Sequence, residues 1–219
     1  AFVVLSDLLS TPASFEQALV KYVRDGGGVW VTVGTSAARA PSVPVFGGKI
    51  IESHSYARDG ARFVNVGQVD PAYPSIEKAD RWAGVKFFFA VRVDPTDATV
   101  AARLSDQTPI LLEKRIGEGR VVLFTSGLDN VTNDFPQKPI WVPLVDRTAR
   151  YLSGTESRSG SRVVDSFLEV RTAKERSVSV EVTDPDGKRP LSLNEASSAE
   201  NYQLMRAGFY ELRLANGRR

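Results

Sequence analysis

The sequence predicts an α/β domain followed by a small antiparallel β domain. Three observations carry that prediction. A strand, a helix and a second strand follow one another within about thirty residues at the start of the chain, which is a βαβ unit with parallel strands. A second amphipathic helix closes at Ser153-Gly154, and beyond a polar tract the pattern turns to alternation with period two. The 219 residues, 42% of them hydrophobic, suffice for one sizeable core and a second, smaller one.

The elements follow in order. Ala1 to Leu5 is a buried-strand pattern ending in Ser6-Asp7. Ser14 with Gln17 three residues later predicts a capping box for a helix that presents Phe15, Ala18, Leu19, Tyr22 and Val23 on one face. Gly26-Gly27-Gly28 stops that helix, and Val29 to Val33 is a continuous apolar strand. Between Val43 and Gly67 the signals are short β runs, including Lys49-Ile50-Ile51 and Arg62-Phe63-Val64. Val85 to Val93 and Thr99 to Leu104 read as strands, with Phe87 and Phe89 expected on one face and Phe88 on the other. Pro109 to Lys114 pairs with Arg120 to Phe124 across Gly117-Glu118-Gly119 as a β-hairpin. A helix from about Ile140 to Leu152 presents Trp141, Leu144, Val145, Thr148 and Leu152 and tolerates Pro143 in its first turn.

The first domain is therefore expected over 1–154. Thr155 to Arg162 is polar and Ser-rich, the composition of a linker. Over 163–219, Ser166 to Arg171, Ser177 to Val182 and Phe209 to Ala215 alternate, and Asp184-Pro185-Asp186-Gly187 is a turn. A small immunoglobulin-like sandwich is the expectation there, with a short helix between Leu193 and Glu200 as its one departure. The chain opens inside a strand pattern and ends on Asn216-Gly217 with no returning strand, so it reads as a piece of a longer protein.

Charge and composition narrow the partners. Twenty-eight Lys and Arg against 26 Asp and Glu, interspersed to a net +2, leave no basic footprint for nucleic acid. The absence of Cys removes disulfides, thiolate metal sites and any cysteine nucleophile. No apolar run approaches the roughly 20 residues of a membrane-spanning helix, so this stretch is not expected to insert directly into a bilayer.

Three stretches together resemble a known family: Tyr22 to Val31 across the glycine triplet, Leu112 to Ser126 across the Gly-Glu-Gly hairpin, and Asn133 to Val145 with Tyr151 to Gly154. They are similar to the class I glutamine-amidotransferase-like domain of bacterial membrane proteins that also carry BatA-like (aerotolerance regulator) and von Willebrand A regions. The resemblance implies a flavodoxin-like fold for the first domain and an extracytoplasmic, periplasmic location in a membrane-anchored parent. It implies as partners the neighbouring domains of that parent and other envelope proteins. A working enzyme of this type needs a Cys nucleophile activated by His and a carboxylate, and the chain has no Cys, so glutaminase chemistry does not carry over.

Two constellations remain as candidate sites. Gly34-Thr35-Ser36-Ala37-Ala38 follows a strand and approximates a nucleophile elbow, with His54 as the single imidazole and Glu52 as the available acid. The bland alternative makes Ser36 a loop residue and His54 a polar strand residue. Asp129, Asn130, Asn133 and Asp134 form an oxygen-rich loop of the kind that can hold Ca²⁺ or Mg²⁺; such residues more often bond their own turn. Gly26 to Gly28 follows a helix and precedes a strand, the reverse of a phosphate cradle, and Arg24, Arg115 and Arg120 read as solvated charges. No cofactor is called for. The favoured reading is a non-catalytic structural or interaction module; the alternative is a hydrolase or sugar-binding domain using Ser36 and the switch-point crevice.

Overall fold

The computed structural model describes residues 1–74, 76, 79–82, 84–154, 163–170, 180–191, 195, 198–199 and 201–214. The chain divides into two compact units, Ala1–Arg158 and Ser159–Arg219.

In the first unit β1 (Phe2–Ser6), α1 (Ala13–Arg24) and β2 (Gly28–Thr32) form the expected βαβ unit, with β1 and β2 parallel and Val4 opposite Trp30. Then follow β3 (Ile50–Ser55), β4 (Val64–Val69), β5 (Lys86–Phe87), β6 (Phe89–Val93), β7 (Thr99–Leu104), β8 (Pro109–Ile116) and β9 (Gly119–Phe124). The last element is α2 (Trp141–Ser153), closed by Gly154 in the left-handed conformation at φ +69°. Seven strands form one sheet in the order β1-β2-β9-β8-β7-β4-β5, and β3 pairs antiparallel with β6 beside it.

This sheet corrects the flavodoxin-like expectation. Only β1, β2 and β9 run parallel; β8, β7, β4 and β5 are joined antiparallel. The reason is connectivity. Parallel neighbours need a crossover of a dozen or more residues, usually a helix, and among the described residues no α-helix lies between α1 and α2. Within that interval β7, β8 and β9 follow one another across short turns and so pair antiparallel.

Both faces of the parallel part are covered. Val29, Val31, Val121 and Leu123 pack with Leu19 and Val23 of α1 on one face. Trp30, Val122 and Phe124 pack with Leu144, Tyr151 and Leu152 of α2 on the other. That is why β2, Gly-Val-Trp-Val-Thr, is buried at every position.

Three local expectations are revised. α1 begins at Ala13 behind Pro12, with no side-chain cap. Ser14 and Gln17 do not form the capping box; Glu16 is the first-turn acid in use, accepting the Thr11 hydroxyl (3.3 Å) and the Val45 N–H (2.9 Å). The run Val85 to Val93 is broken at Phe88, whose N–H bonds to the Thr132 carbonyl at 2.8 Å. The break reverses the alternation, so Phe87 joins the α2-side core while Phe89 packs against the α1-side core. Arg120, read as a solvated charge, lies with its guanidinium 4.1 Å from the Tyr151 ring centroid.

The second unit contains β10 (Phe167–Glu169), β11 (Val180–Thr183), β12 (Asn201–Gln203) and β13 (Glu211–Leu214). β10 pairs with β12 and β11 with β13, all antiparallel. Among the described residues these are two two-stranded pairs whose side chains share one small core. A small core of Val170, Val180 and Val182 draws in Leu168, Tyr202, Tyr210 and Leu212. The Asp184 to Gly187 turn forms as expected: Asp184 accepts from the Asp186 and Lys188 amides, and Gly187 supplies φ +77°. The tract Thr155 to Arg162, Ser177 to Ser179, most of Leu193 to Glu200, and Asn216-Gly217 lie outside the described residues.

Candidate functional site

In an open α/β sheet the ligand position lies beyond the carboxyl ends of the parallel strands. Here that position is built from Ser6-Asp7 after β1 and Gly34 to Ala37 after β2. Asp7 adopts φ +50°, a conformation non-glycine residues seldom take, while its N–H still bonds to the Thr32 carbonyl at 3.0 Å. The twist turns its carboxylate onto the next loop. Oδ1 accepts the Ala37 N–H at 2.8 Å and the Ser36 N–H at 3.1 Å, and Oδ2 is 3.2 Å from the same Ser36 nitrogen. Gly34 makes the approach possible, because a Cβ there would stand 2.8 Å from the Asp7 carboxyl carbon. Beside this lock lies a shallow apolar depression lined by Leu5, Leu8, Val33, Val43, Pro44 and Ile50.

Ser36 therefore has its amide committed to Asp7. His54 and Glu52 share β3, two residues apart on one side of the strand. The Nε2 of His54 is 3.3 Å from Glu52 Oε1, its Nδ1 is 3.9 Å from Asp59 Oδ2, and its ring stacks on Tyr56 at 5.9 Å between centroids. Arg92 donates to Glu52 at 2.9 Å, and that hydrogen bond holds the Glu52 carboxyl below its ordinary range. The structure thus brings the acid and the imidazole together, but among the described residues no hydrogen bond joins Ser36 to His54. Tyr56 donates to Asp106 at 2.8 Å; burial, then the Asp106 carboxylate, pushes the phenol well above its usual value.

The oxygen-rich loop is spent on itself. Asp129 Oδ1 accepts from the Val131 and Thr132 amides and the Thr132 hydroxyl, all within 2.9 Å. The fully buried Asn133 donates to Ser126 Oγ and the Gly127 carbonyl and accepts the Phe135 N–H. Asp134 takes the Lys86 N–H at 2.7 Å and the Lys138 ammonium at 3.0 Å, and Asn130 is exposed. Among the described residues no group of three His, Cys, Asp or Glu side chains could hold a metal ion.

Sequence reasoning missed a buried polar cluster on the α2 side. Glu113 of β8 is buried with both oxygens 2.9 Å from the Tyr151 hydroxyl. The ring of Tyr73 meets that of Tyr151 edge-on at 5.9 Å, and its own buried hydroxyl finds no hydrogen-bond partner among the described residues. Burial, then the nearby Glu113 charge, raises both phenols. Alternation along Pro109 to Ile116 gave no warning, since a Glu in that pattern reads as solvent-facing.

No family model and no curated protein matches the sequence. Solved structures do share the fold. The cytoplasmic proteins STM3548 and STM1381 of Salmonella typhimurium each superpose with a TM-score of 0.55 over 68% of this chain, at 15% and 12% identity and 71% and 70% of their own lengths. A β-galactosidase from Rahnella sp. R3 matches 99% of this chain at a TM-score of 0.51 and 12% identity, and the match spans 31% of that enzyme. The periplasmic, membrane-anchored placement implied by the family resemblance is left without support: the two Salmonella proteins are named cytoplasmic, and no described helix is long and apolar enough to cross a membrane. At such identities the likeness is one of fold.

Proposed function

We propose that this chain is a non-catalytic interaction module, a folded scaffold that holds neighbouring domains or protein partners. The observation that carries this reading is the Asp7 carboxylate seated on the Ser36 and Ala37 amides. Free N–H groups at that position are what an α/β enzyme offers to an anionic ligand or a developing oxyanion. Here the chain answers them with its own negative charge. A serine attack at Ser36 would build an oxyanion beside that carboxylate and would have no imidazole in hydrogen-bond contact to take the proton. The occurrence of the same fold as 31% of a larger chain agrees with a unit that works beside other domains.

The test is to assay the purified chain and its Ser36→Ala variant against nitrophenyl esters, nitrophenyl glycosides and glutamine. Product release indistinguishable from buffer in both proteins is expected. Turnover by the wild type that Ser36→Ala abolishes would establish a hydrolase instead.

A further inference from the structure

We propose that Asp59, at the tip of the turn that follows β3, is a modification site: its side chain closes onto the Gly60 amide and converts the Asp59-Gly60 bond to an isoaspartyl link while the chain stays folded. The chain has three Asp-Gly pairs, Asp25-Gly26, Asp59-Gly60 and Asp186-Gly187. A glycine after the aspartate favours this chemistry, since no side chain shields the amide nitrogen from the neighbouring carboxyl carbon. In the sequence the three pairs have equal standing, and the structure separates them.

Two of the pairs are held. The Gly26 N–H donates to the Val23 carbonyl at 2.9 Å in the turn that ends α1. The Gly187 N–H donates to the Asp184 carbonyl at 2.9 Å, and the Asp186 carboxylate is paired with Arg206. Asp59-Gly60 is fixed only on either side. The Asp59 N–H donates to the Ser55 carbonyl and the Ala61 N–H to the Tyr56 carbonyl, both at 3.0 Å, whereas the Gly60 N–H makes no hydrogen bond among the described residues. Gly60 stands at φ +88° with open space where a Cβ would be, and both residues are exposed. The Asp59 carboxylate faces His54 Nδ1 at 3.9 Å, beyond hydrogen-bond reach. Closure requires the glycine amide to give up its proton, so a hydrogen bond that must open before that proton exchanges also holds back the reaction. Gly26 and Gly187 carry that protection, and Gly60 does not.

The step balances without an added oxidant or reductant. The Gly60 nitrogen loses its proton to solvent and bonds to the side-chain carboxyl carbon of Asp59 in its uncharged, protonated form. The C–OH bond breaks, and the hydroxyl leaves as water after taking up a proton. Water then opens the five-membered imide. Attack at the main-chain carbonyl carbon breaks its bond to the Gly60 nitrogen, which takes back a proton, and leaves the chain running through the side-chain methylene; attack at the other carbonyl restores aspartate. Mass is unchanged. The main chain gains one methylene inside the loop that the Ala61 N–H closes onto the Tyr56 carbonyl, so that hydrogen bond loses its geometry.

The test ages the folded chain at neutral pH and body temperature, digests it with trypsin, and separates aspartyl from isoaspartyl peptides by chromatography against synthetic standards. Trypsin places the three pairs on separate peptides, 25–39, 59–62 (50–62 where Arg58 is left uncut) and 177–188, and sends Asn216-Gly217, whose asparagine forms the same imide with loss of ammonia, to a fourth, 214–218. In the folded chain the isoaspartyl form of the Asp59 peptide should accumulate about tenfold or more faster than those of the Asp25 and Asp186 peptides. In urea, where the turn hydrogen bonds are gone, the three should age at similar rates. Protection of the Ala61 amide from hydrogen exchange should fall in step with isoaspartate at Asp59. Equal accumulation at all three pairs in the folded chain, faster accumulation at Asp25 or Asp186, or isoaspartate at Asp59 that forms only in urea would each overturn the inference.

Discussion

At the scale of single residues, two arrangements in the first unit, one part-buried at Asp7 and one buried at Glu113, can be tested by subtraction. Asp7→Ala leaves the Ser36 and Ala37 amides without their acceptor, much as removing a helix cap does, at a cost of about 1–2 kcal/mol. Gly34→Ala pushes the same carboxylate away and should cost a similar amount. Because both changes break one interaction, the double variant measured by urea denaturation should be clearly less destabilised than the two singles added together. Additive costs would mean the carboxylate and Gly34 act independently. Tyr151→Phe strips the buried Glu113 carboxylate of its hydroxyl donor, and a loss of about 1–3 kcal/mol is expected in the same measurement. Asp106 supplies the pH dependence. Burial pushes its carboxyl up, but the Thr108 N–H, the Tyr56 hydroxyl and Thr108's own hydroxyl pull it down further, so the folded value lies below 3.8. A group depressed in the folded state stabilises above its unfolded value and loses that contribution as the pH falls through the folded one. Asp106→Asn should therefore flatten the fall of stability with acid below about pH 4, and an unchanged acid limb would remove Asp106 from the account.

At the scale of elements, the two glycine motifs turn out to be one joint. The end of α1 lies against the turn of the β8–β9 hairpin: the Glu118 backbone N–H donates to the Arg24 carbonyl at 3.0 Å and the Arg120 backbone N–H to the Gly27 carbonyl at 3.3 Å. At Gly119 a Cβ would fall 2.1 Å from the Val23 carbonyl oxygen and 2.2 Å from that of Gly27, so backbone would have to move. Gly119→Ala should cost about 3 kcal/mol or more in thermal or urea unfolding, far above the few tenths of an ordinary surface change. A near-neutral result would show that helix and hairpin are not in contact as described. Both motifs were plain in the chain, as a helix stop and a hairpin turn. Their meeting was not, because a close approach of backbones about ninety positions apart leaves no local pattern. The reversal at Phe88 has the same origin: the bond to the Thr132 carbonyl that breaks the strand comes from a loop more than forty residues on.

At the scale of the whole molecule, the two units differ in how much they bury. The first contains two extensive apolar clusters on opposite faces of one sheet, whereas the fully buried apolar residues described in the second unit's cluster are Val170, Val180 and Val182. A core that small supplies little stability, so calorimetry should resolve two transitions with the second unit melting first. The assignment can be checked spectroscopically. Trp30, Trp82 and Trp141 all lie in the first unit, so tryptophan fluorescence should follow the upper transition, while Tyr202 and Tyr210 report on the lower. One transition seen alike by every probe would mean the units unfold together.

The sequence by itself determined the βαβ start, the β8–β9 hairpin, both helices and the want of a thiol nucleophile, because each rests on neighbours within one or two turns or on composition alone. Only the tertiary structure decided that the sheet is mixed, that β1 stands at its rim, that Asp7 closes the loop carrying Ser36, and that Glu113 is buried under Tyr151. Those outcomes depend on which distant segments pair and which face is covered. A period-two pattern records that a residue alternates, and it leaves open the strand across from it and the carboxylate that will answer its amides.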